Sequence, residues 1–188
     1  MEKYFAFRCE QPLPFSAFQS FIQDSFSLPF SVSMVDRHKG YILADGSLFD
    51  TLAVLVPLLN SDLGLVMTFV AAHVVDELTW YALDIAHGYR RQSCLHLGDI
   101  VFDRLVSGDE TIKVLVKTQF KTVPRDLMLT AMAFIDAGLN ATRASTKLYI
   151  HRNTFNYRLQ KFIERTGLDI RDYHHGFYFR LAQKAILK

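Results

Sequence analysis

Asn140 to Phe162 reads NATRASTKLYIHRNTFNYRLQKF, two helical runs separated by a tight turn. Asn140 is a good helix N-cap, and Ala141, Ala144 and Leu148 follow at inward spacing for a short helix. After Tyr149-Ile150-His151, a longer helix is predicted from about Arg152 to Thr166, closed by Gly167. At 100° per residue, Phe155, Leu159, Phe162 and Ile163 fall within about 100° of one another and form a core face. Asn153, Tyr157, Gln160, Lys161 and Glu164 lie opposite, with Thr154, Arg158 and Arg165 on one flank. Ala144 permits the two helices to cross closely, and Ile150 can plug the core they share. A short helix, a turn and a longer helix make a helix-turn-helix. The blander reading of the same pattern is a helical bundle whose exposed helix is merely polar.

Outward from this stretch the chain stays helical. Leu127, Ala131, Phe134 and Ile135 form an apolar stripe stopped by Gly138, and a last helix carries Phe177, Leu181 and Ala185 on one side. Pro124 interrupts any continuous helix on the N-terminal side. The charge turns over at the same place. Residues 1–123 hold 10 Lys/Arg against 14 Asp/Glu, whereas residues 124–188 hold 11 against 5. Such asymmetry points to a polyanion-binding tail on an acidic body. Two domains are expected, 1–122 and 123–188.

The longer N-terminal part alternates strand and helix signals. Lys3 to Arg8 reads as a strand, and Phe15, Phe18, Ile22 and Phe26 as a helix. Phe30–Val35 and Tyr41–Ala44 read as two strands joined through Arg37 to Gly40. Leu48, Leu52, Leu55 and Leu59 suit a helix that Pro57 is expected to kink or shorten. Leu65 to Ala71 is a strand buried on both sides, and Val74, Leu78, Tyr81 and Ile85 mark a helix ending near Gly88. The order β-α-β-β-α-β-α predicts an α+β sandwich of ferredoxin-like type, helices covering one face of a mostly antiparallel sheet. Ile100, Leu105 and Val106 suggest a further helix. Ile112, Leu115, Val116 and Phe120 fit helix better than strand, despite their β-branched density.

The C-terminal segment resembles the helix-turn-helix of the PucR/CdaR family of bacterial transcriptional regulators, over roughly residues 126–188. The matching residues are Asn140, Thr142, Ala144, Leu148, the run His151-Arg152-Asn153-Thr154, Tyr157-Arg158-Leu159, and Thr166-Gly167-Leu168-Asp169. It is similar, more distantly, to the DNA-binding end of the nucleoid protein Fis, through Asn140, Thr142, Arg143 and Ala144, then Ile150, Arg152 and Thr154. The Fis-like pattern has a glycine where Tyr149 stands. A left-handed backbone is costly for Tyr, so this turn is expected to differ in detail. The family resemblance implies double-stranded DNA as partner, usually bound by a homodimer, in control of catabolic or related operons. It makes His151, Arg152, Asn153, Thr154, Tyr157, Arg158 and Lys161 candidate DNA contacts, with Thr142 and Arg143 holding backbone phosphates. Against this stand local roles: Tyr157 packing on a neighbour, Arg158 pairing with a carboxylate, His151 bonding to the turn. The segment order of the N-terminal part resembles the degenerate GGDEF-like domain that precedes the helix-turn-helix in this family, where it would supply dimerisation or sensing. No Gly-Gly-Asp/Glu-Glu-Phe run occurs, so no cyclase is expected.

Other chemistry is scarce. Half the residues are apolar and 13% aromatic, enough for a real core and too many for a disordered chain. The longest nearly apolar stretch, Leu63 to Val75, falls short of the about 20 residues a membrane helix needs. The start Met1-Glu2-Lys3-Tyr4 lacks the plan of a signal peptide. Cys9 and Cys94 are too few for a disulfide scaffold, and Cys94 near His96 reads as buried rather than as a thiol pair. Asp99, Asp109 and Glu110 read as caps and solvated surface. His174 and His175 are adjacent, so on a helix they diverge by about 100° and cannot chelate as an i, i+4 pair does. No phosphate-cradling glycine loop or nucleophile elbow is present. No enzyme activity, cofactor or metal is expected, and the setting is cytoplasmic. A small-molecule effector is left open. The alternative function is a ligand-binding or protein-interaction module, an apolar pocket in its aromatic body and a helix-turn-helix that no longer binds DNA.

Overall fold

The computed structural model describes residues 2–186. The chain divides into two compact units, Met1–Ile100 and Val101–Lys188. The turnover of charge near Pro124 therefore falls inside the second unit. The architecture is α+β: a mixed five-stranded sheet with helices, then a run of helices.

In the first unit, β1 (Glu2–Cys9), α1 (Phe15–Ser25), β2 (Phe30–Met34), β3 (Lys39–Asp45), α2 (Leu48–Leu63), β4 (Met67–Ala72), α3 (Glu77–Tyr89) and β5 (Ser93–His96) follow in order. The sheet order is β2-β3-β1-β4-β5, antiparallel throughout except for the parallel pair β4/β5. The first six elements thus form two interlocked split β-α-β units. Phe5 and Phe7 of β1, Ile42 and Ala44 of β3, and Phe69 of β4 point one way. They meet Phe18 and Ile22 of α1 and Leu48, Leu52 and Leu59 of α2. Gly40 is required where β3 passes this cluster: a Cβ there would lie 2.4 Å from the Ser33 carbonyl oxygen and 2.6 Å from Phe7 Cζ.

Four expectations for this unit are corrected. Helices cover both faces of the sheet, because α3 lies across β1 and β4 on the side away from the phenylalanine cluster. There the Thr68 hydroxyl and His87 Nδ1 are 3.0 Å apart. Two-sided cover explains why all six residues of β4 are buried. Burial on α3 runs through Leu78, Ala82, Leu83 and Ala86, with Tyr81 and Ile85 only half-buried. Pro57 does not shorten α2, which continues to Leu63 and closes at Gly64 with φ +65°. Proline removes the hydrogen bond to the carbonyl of Ala53, and both residues are exposed, so that carbonyl lies on the solvent side of the helix rather than in the core. The strand β5 was absent from the expected order.

The second unit holds α5 (Glu110–Phe120), α6 (Arg125–Asp136), α7 (Ala141–Lys147), α8 (Arg152–Thr166) and α9 (Tyr173–Ile186); α4 (Leu97–Val106) spans the boundary. Asp109 caps α5, accepting from the Ile112 N–H at 3.1 Å, and pairs with Arg104 at 2.9 Å. On α9 the buried apolar residues are Tyr178, Phe179, Ala182 and Ala185, whereas Phe177 and Leu181 are half-buried. The rings of Phe120, Phe162 and Phe179 meet there, 5.7 and 5.0 Å from Phe179. His175 is buried and its Nδ1 accepts from the Asp169 N–H at 3.2 Å, a loop-holding role. Among the described residues no helix is long and apolar enough to cross a membrane, and no cluster of three His, Cys, Asp or Glu could hold a metal ion.

Candidate nucleic-acid interface

The interface is built by α6, α7 and α8, each packed on the other two. Two consecutive turns set its geometry, and both close as Schellman motifs. After α6, the Gly138 N–H donates to the Ile135 carbonyl at 3.0 Å and the Leu139 N–H to Phe134 at 2.9 Å. Gly138 has φ +67° and Leu139 φ +62°, which reverses the chain. Asn140 then caps α7, its side-chain oxygen accepting from the Arg143 N–H at 3.0 Å. After α7, the Tyr149 N–H donates to Thr146 and the Ile150 N–H to Ser145, each at 3.1 Å. Tyr149 takes φ +54° at the position where glycine is usual. The turn therefore keeps the left-handed residue despite the side chain. It can do so because that side chain is 96% exposed and meets no neighbour to aggravate the strain.

Ala144 is fully buried at the α7–α8 crossing, and Ile150 is half-buried beside it. Phe155, Leu159 and Phe162 form the inner face of α8, with the Phe155 and Phe134 rings 5.9 Å apart. His151 is the N-cap: its Nδ1 accepts from the Asn153 N–H at 3.2 Å. The side chains of Arg152, Asn153, Thr154, Tyr157 and Lys161 are exposed, as are those of Thr142, Arg143 and His151. Arg158 is half-buried, its Nε 3.4 Å from Asp126 of α6, so it ties α8 to α6. Lys161 donates to Glu164 at 2.8 Å and lies 5.8 Å from the Tyr157 ring centre. That hydrogen bond holds the Lys161 ammonium above the usual lysine range and the Glu164 carboxyl below its own.

Asn156 and Gln160 are also exposed, and neither stood among the candidate contacts. Asn156 follows Arg152 by one turn, and Gln160 follows it by one more. The 100° rotation that placed Asn153 outside also put Gln160 on the polar face, and it could have found Asn156. The first turns of α7 and α8 contain no acidic residue, so the positive ends of both helix dipoles are left uncompensated. The result is an outward row of amides, hydroxyls and cations above two helix N-termini. Groups of these types can donate to phosphate oxygens and pair with base edges.

The first unit offers a different surface. Its aromatic rings pack on one another, and its open cleft of about 510 Å³ is polar, lined by Arg8, Glu10, Asp36, His38 and Arg91 among others. Cys94 is partly buried in β5, where desolvation pushes its thiol well above the ordinary range, and His96 stacks on Phe49 with ring centres 3.9 Å apart. Both groups are packed rather than poised for chemistry.

Comparison with known proteins bears on the second unit. The chain is 46% identical over 48 residues to the uncharacterized protein YxkF of Bacillus subtilis (strain 168); the match covers 26% of this chain and 16% of that protein. A solved structure, the regulator of polyketide synthase expression from Bifidobacterium adolescentis, aligns over 99% of this chain and 80% of its own, with a TM-score of 0.48 and 16% identity. Residues 127–185 match the family described as the PucR C-terminal helix-turn-helix domain. The helices α6 to α9 thus carry a helix-turn-helix of the PucR type.

Proposed function

We propose that this chain is a sequence-specific DNA-binding regulator of transcription, acting as a homodimer, with α8 in the major groove and α7 across the backbone above it. The observation that carries the reading is the exposed row Arg152, Asn153, Thr154, Asn156 and Tyr157 on the acid-free start of α8, within a PucR-type helix-turn-helix. Arg152 is assigned a bidentate contact to guanine, and Asn153 and Asn156 contacts to adenine edges. Thr142, Arg143, Thr154 and Lys161 are assigned to phosphates, where they fix register without reading sequence. His151 keeps the first turn of α8 formed, Arg158 keeps α8 seated on α6, and Tyr157 spreads over the backbone sugar. One helix reads few bases, so two copies on half-sites about 34–36 Å apart would add their energies.

Genomic footprinting of the bound DNA tests the proposal, since it returns site sequence and half-site spacing together. On the recovered site, Arg152→Ala should cost about 1–3 kcal/mol and relax the preference at one base pair per half-site. Unchanged affinity in a fluorescence-anisotropy titration would remove Arg152 from the contact. Absence of any salt-sensitive complex with the promoter of the encoding region would return the module to a role without DNA.

A further inference from the structure

The outer face of α6, turned away from α7 and α8, carries apolar side chains that the second unit covers only in part. Met128 and Met132 are half-buried and Leu129 is 43% exposed. With Phe120 at the end of α5 they floor a cleft of about 380 Å³. Three cations rim it: Lys117, Lys121 and Arg125. Among the described residues no acidic side chain lines this cleft, and none of the three cations has a carboxylate partner. Elsewhere in the chain cations find acids, as in Arg8–Asp84, Arg104–Asp109, Lys113–Glu110 and Arg180–Asp136.

Helix electrostatics do not account for the cluster. Lys117 and Lys121 stand at i, i+4, a repulsive spacing. Their place near the C-terminus of α5 is favourable to the dipole, but Arg125 opens α6, where a cation opposes it. Three unneutralised cations over half-buried methionines and an exposed leucine are costly alone and complementary to a molecule with one anionic end and one apolar end. The volume lies in the range of small-ligand sites, and thioethers adapt their packing to irregular apolar tails.

We propose that this cleft binds an amphipathic monocarboxylate, its apolar tail on Met128, Leu129 and Met132 and its carboxylate among Lys117, Lys121 and Arg125. Nothing in this assignment depends on DNA. Its consequence does rest on the DNA-binding reading: the opposite side of α6 holds α8 through the Phe134–Phe155 ring contact and the Asp126–Arg158 pair, so occupancy is one residue removed from a tie to the recognition helix.

The test uses the full chain labelled with methyl-¹³C methionine and titrated with octanoate in the absence of DNA. Met34 and Met67 lie in the strands β2 and β4 and serve as internal controls. Saturable shifts of the Met128 and Met132 methyl signals are expected, with Met34 and Met67 still. Octanol supplies the tail without charge and acetate the charge without tail, and each should bind at least about tenfold more weakly. Lys117→Gln with Lys121→Gln, and separately Arg125→Gln, should weaken octanoate severalfold while the control signals certify the fold. Equal binding of octanol, unchanged binding by both variants, or no shift at Met128 and Met132 would each overturn the proposal. Signals there that move with protein concentration alone would overturn it too, assigning the face to a second copy of the chain.

Discussion

Tyr149 sits at φ +54° with 96% of its surface exposed, and the two facts belong together. A left-handed backbone costs an ordinary L-residue roughly 1–2 kcal/mol, and glycine forfeits roughly half of that saving through its larger unfolded entropy. Tyr149→Gly is therefore expected to stabilise the chain by about 0.5–1 kcal/mol, read as a raised urea midpoint at constant slope. A fall in the midpoint would mean that the exposed ring has a folded-state partner. The cost of a left-handed Tyr149 was legible in the sequence, but its tolerance was not. The motif flagged the missing glycine, but only the Schellman hydrogen bonds to Thr146 and Ser145 show that the turn is closed as a glycine would close it. Other residue roles were legible in advance. Asn140 caps through its own side chain, and Gly167 ends α8 at φ +71°, because caps are local chemistry.

At the scale of elements, legibility follows the range of the interactions. The bounds Arg152 and Thr166 of α8 could be read directly, since its apolar spacing, cap and stop lie within one stretch of chain. The four-residue β5 could not, because Ser93 to His96 becomes a strand by parallel pairing with β4, some twenty-five residues back in the chain. The inward side of α9 was misjudged because Phe177, Tyr178 and Phe179 are consecutive, and an unbroken aromatic run sets no phase. The far face of the sheet was missed for a related reason: α3 contacts it through small and polar groups such as Ala82, Ala86 and His87 rather than through a bold apolar stripe. That contact has a pH signature. Burial lowers the His87 pKa below its ordinary 6.5, so the unfolded chain takes up a proton in a range where the folded chain does not. The corresponding stability is fully present above pH 6.5 and declines as pH falls through the interval down to the folded value. Unfolding followed by Trp80, the single tryptophan of the chain and a neighbour on α3, should show that decline as pH falls below 6.5. His87→Gln should flatten it, and an unaltered slope would assign the decline to another group.

At the scale of the whole molecule, the division of charge becomes a statement about binding rather than about folding. An acidic body of residues 1–123 and a basic remainder give the chain a net charge of only +2, so an even distribution would offer DNA little attraction. Concentrated after Pro124, the same charges can act at a phosphate backbone, and the proposed contacts can be counted. Arg143 and Lys161 supply one phosphate-directed cation each per copy, and two copies on a palindromic site would neutralise about four phosphates. The logarithm of the association constant should then fall against the logarithm of salt concentration with a slope of roughly −3.6. Lys161 is already hydrogen-bonded to Glu164 and must surrender that bond to reach a phosphate. Lys161→Ala should still lower the slope magnitude by about 2 per dimer, and weaken related and unrelated sequences alike. Glu164→Gln should act in the opposite sense, freeing the ammonium and removing a repelling charge. A slope that ignores both substitutions would place the phosphate contacts on another face of the molecule. A slope halved at the outset, with sedimentation showing one copy per DNA, would leave the major-groove assignment intact and remove the dimer.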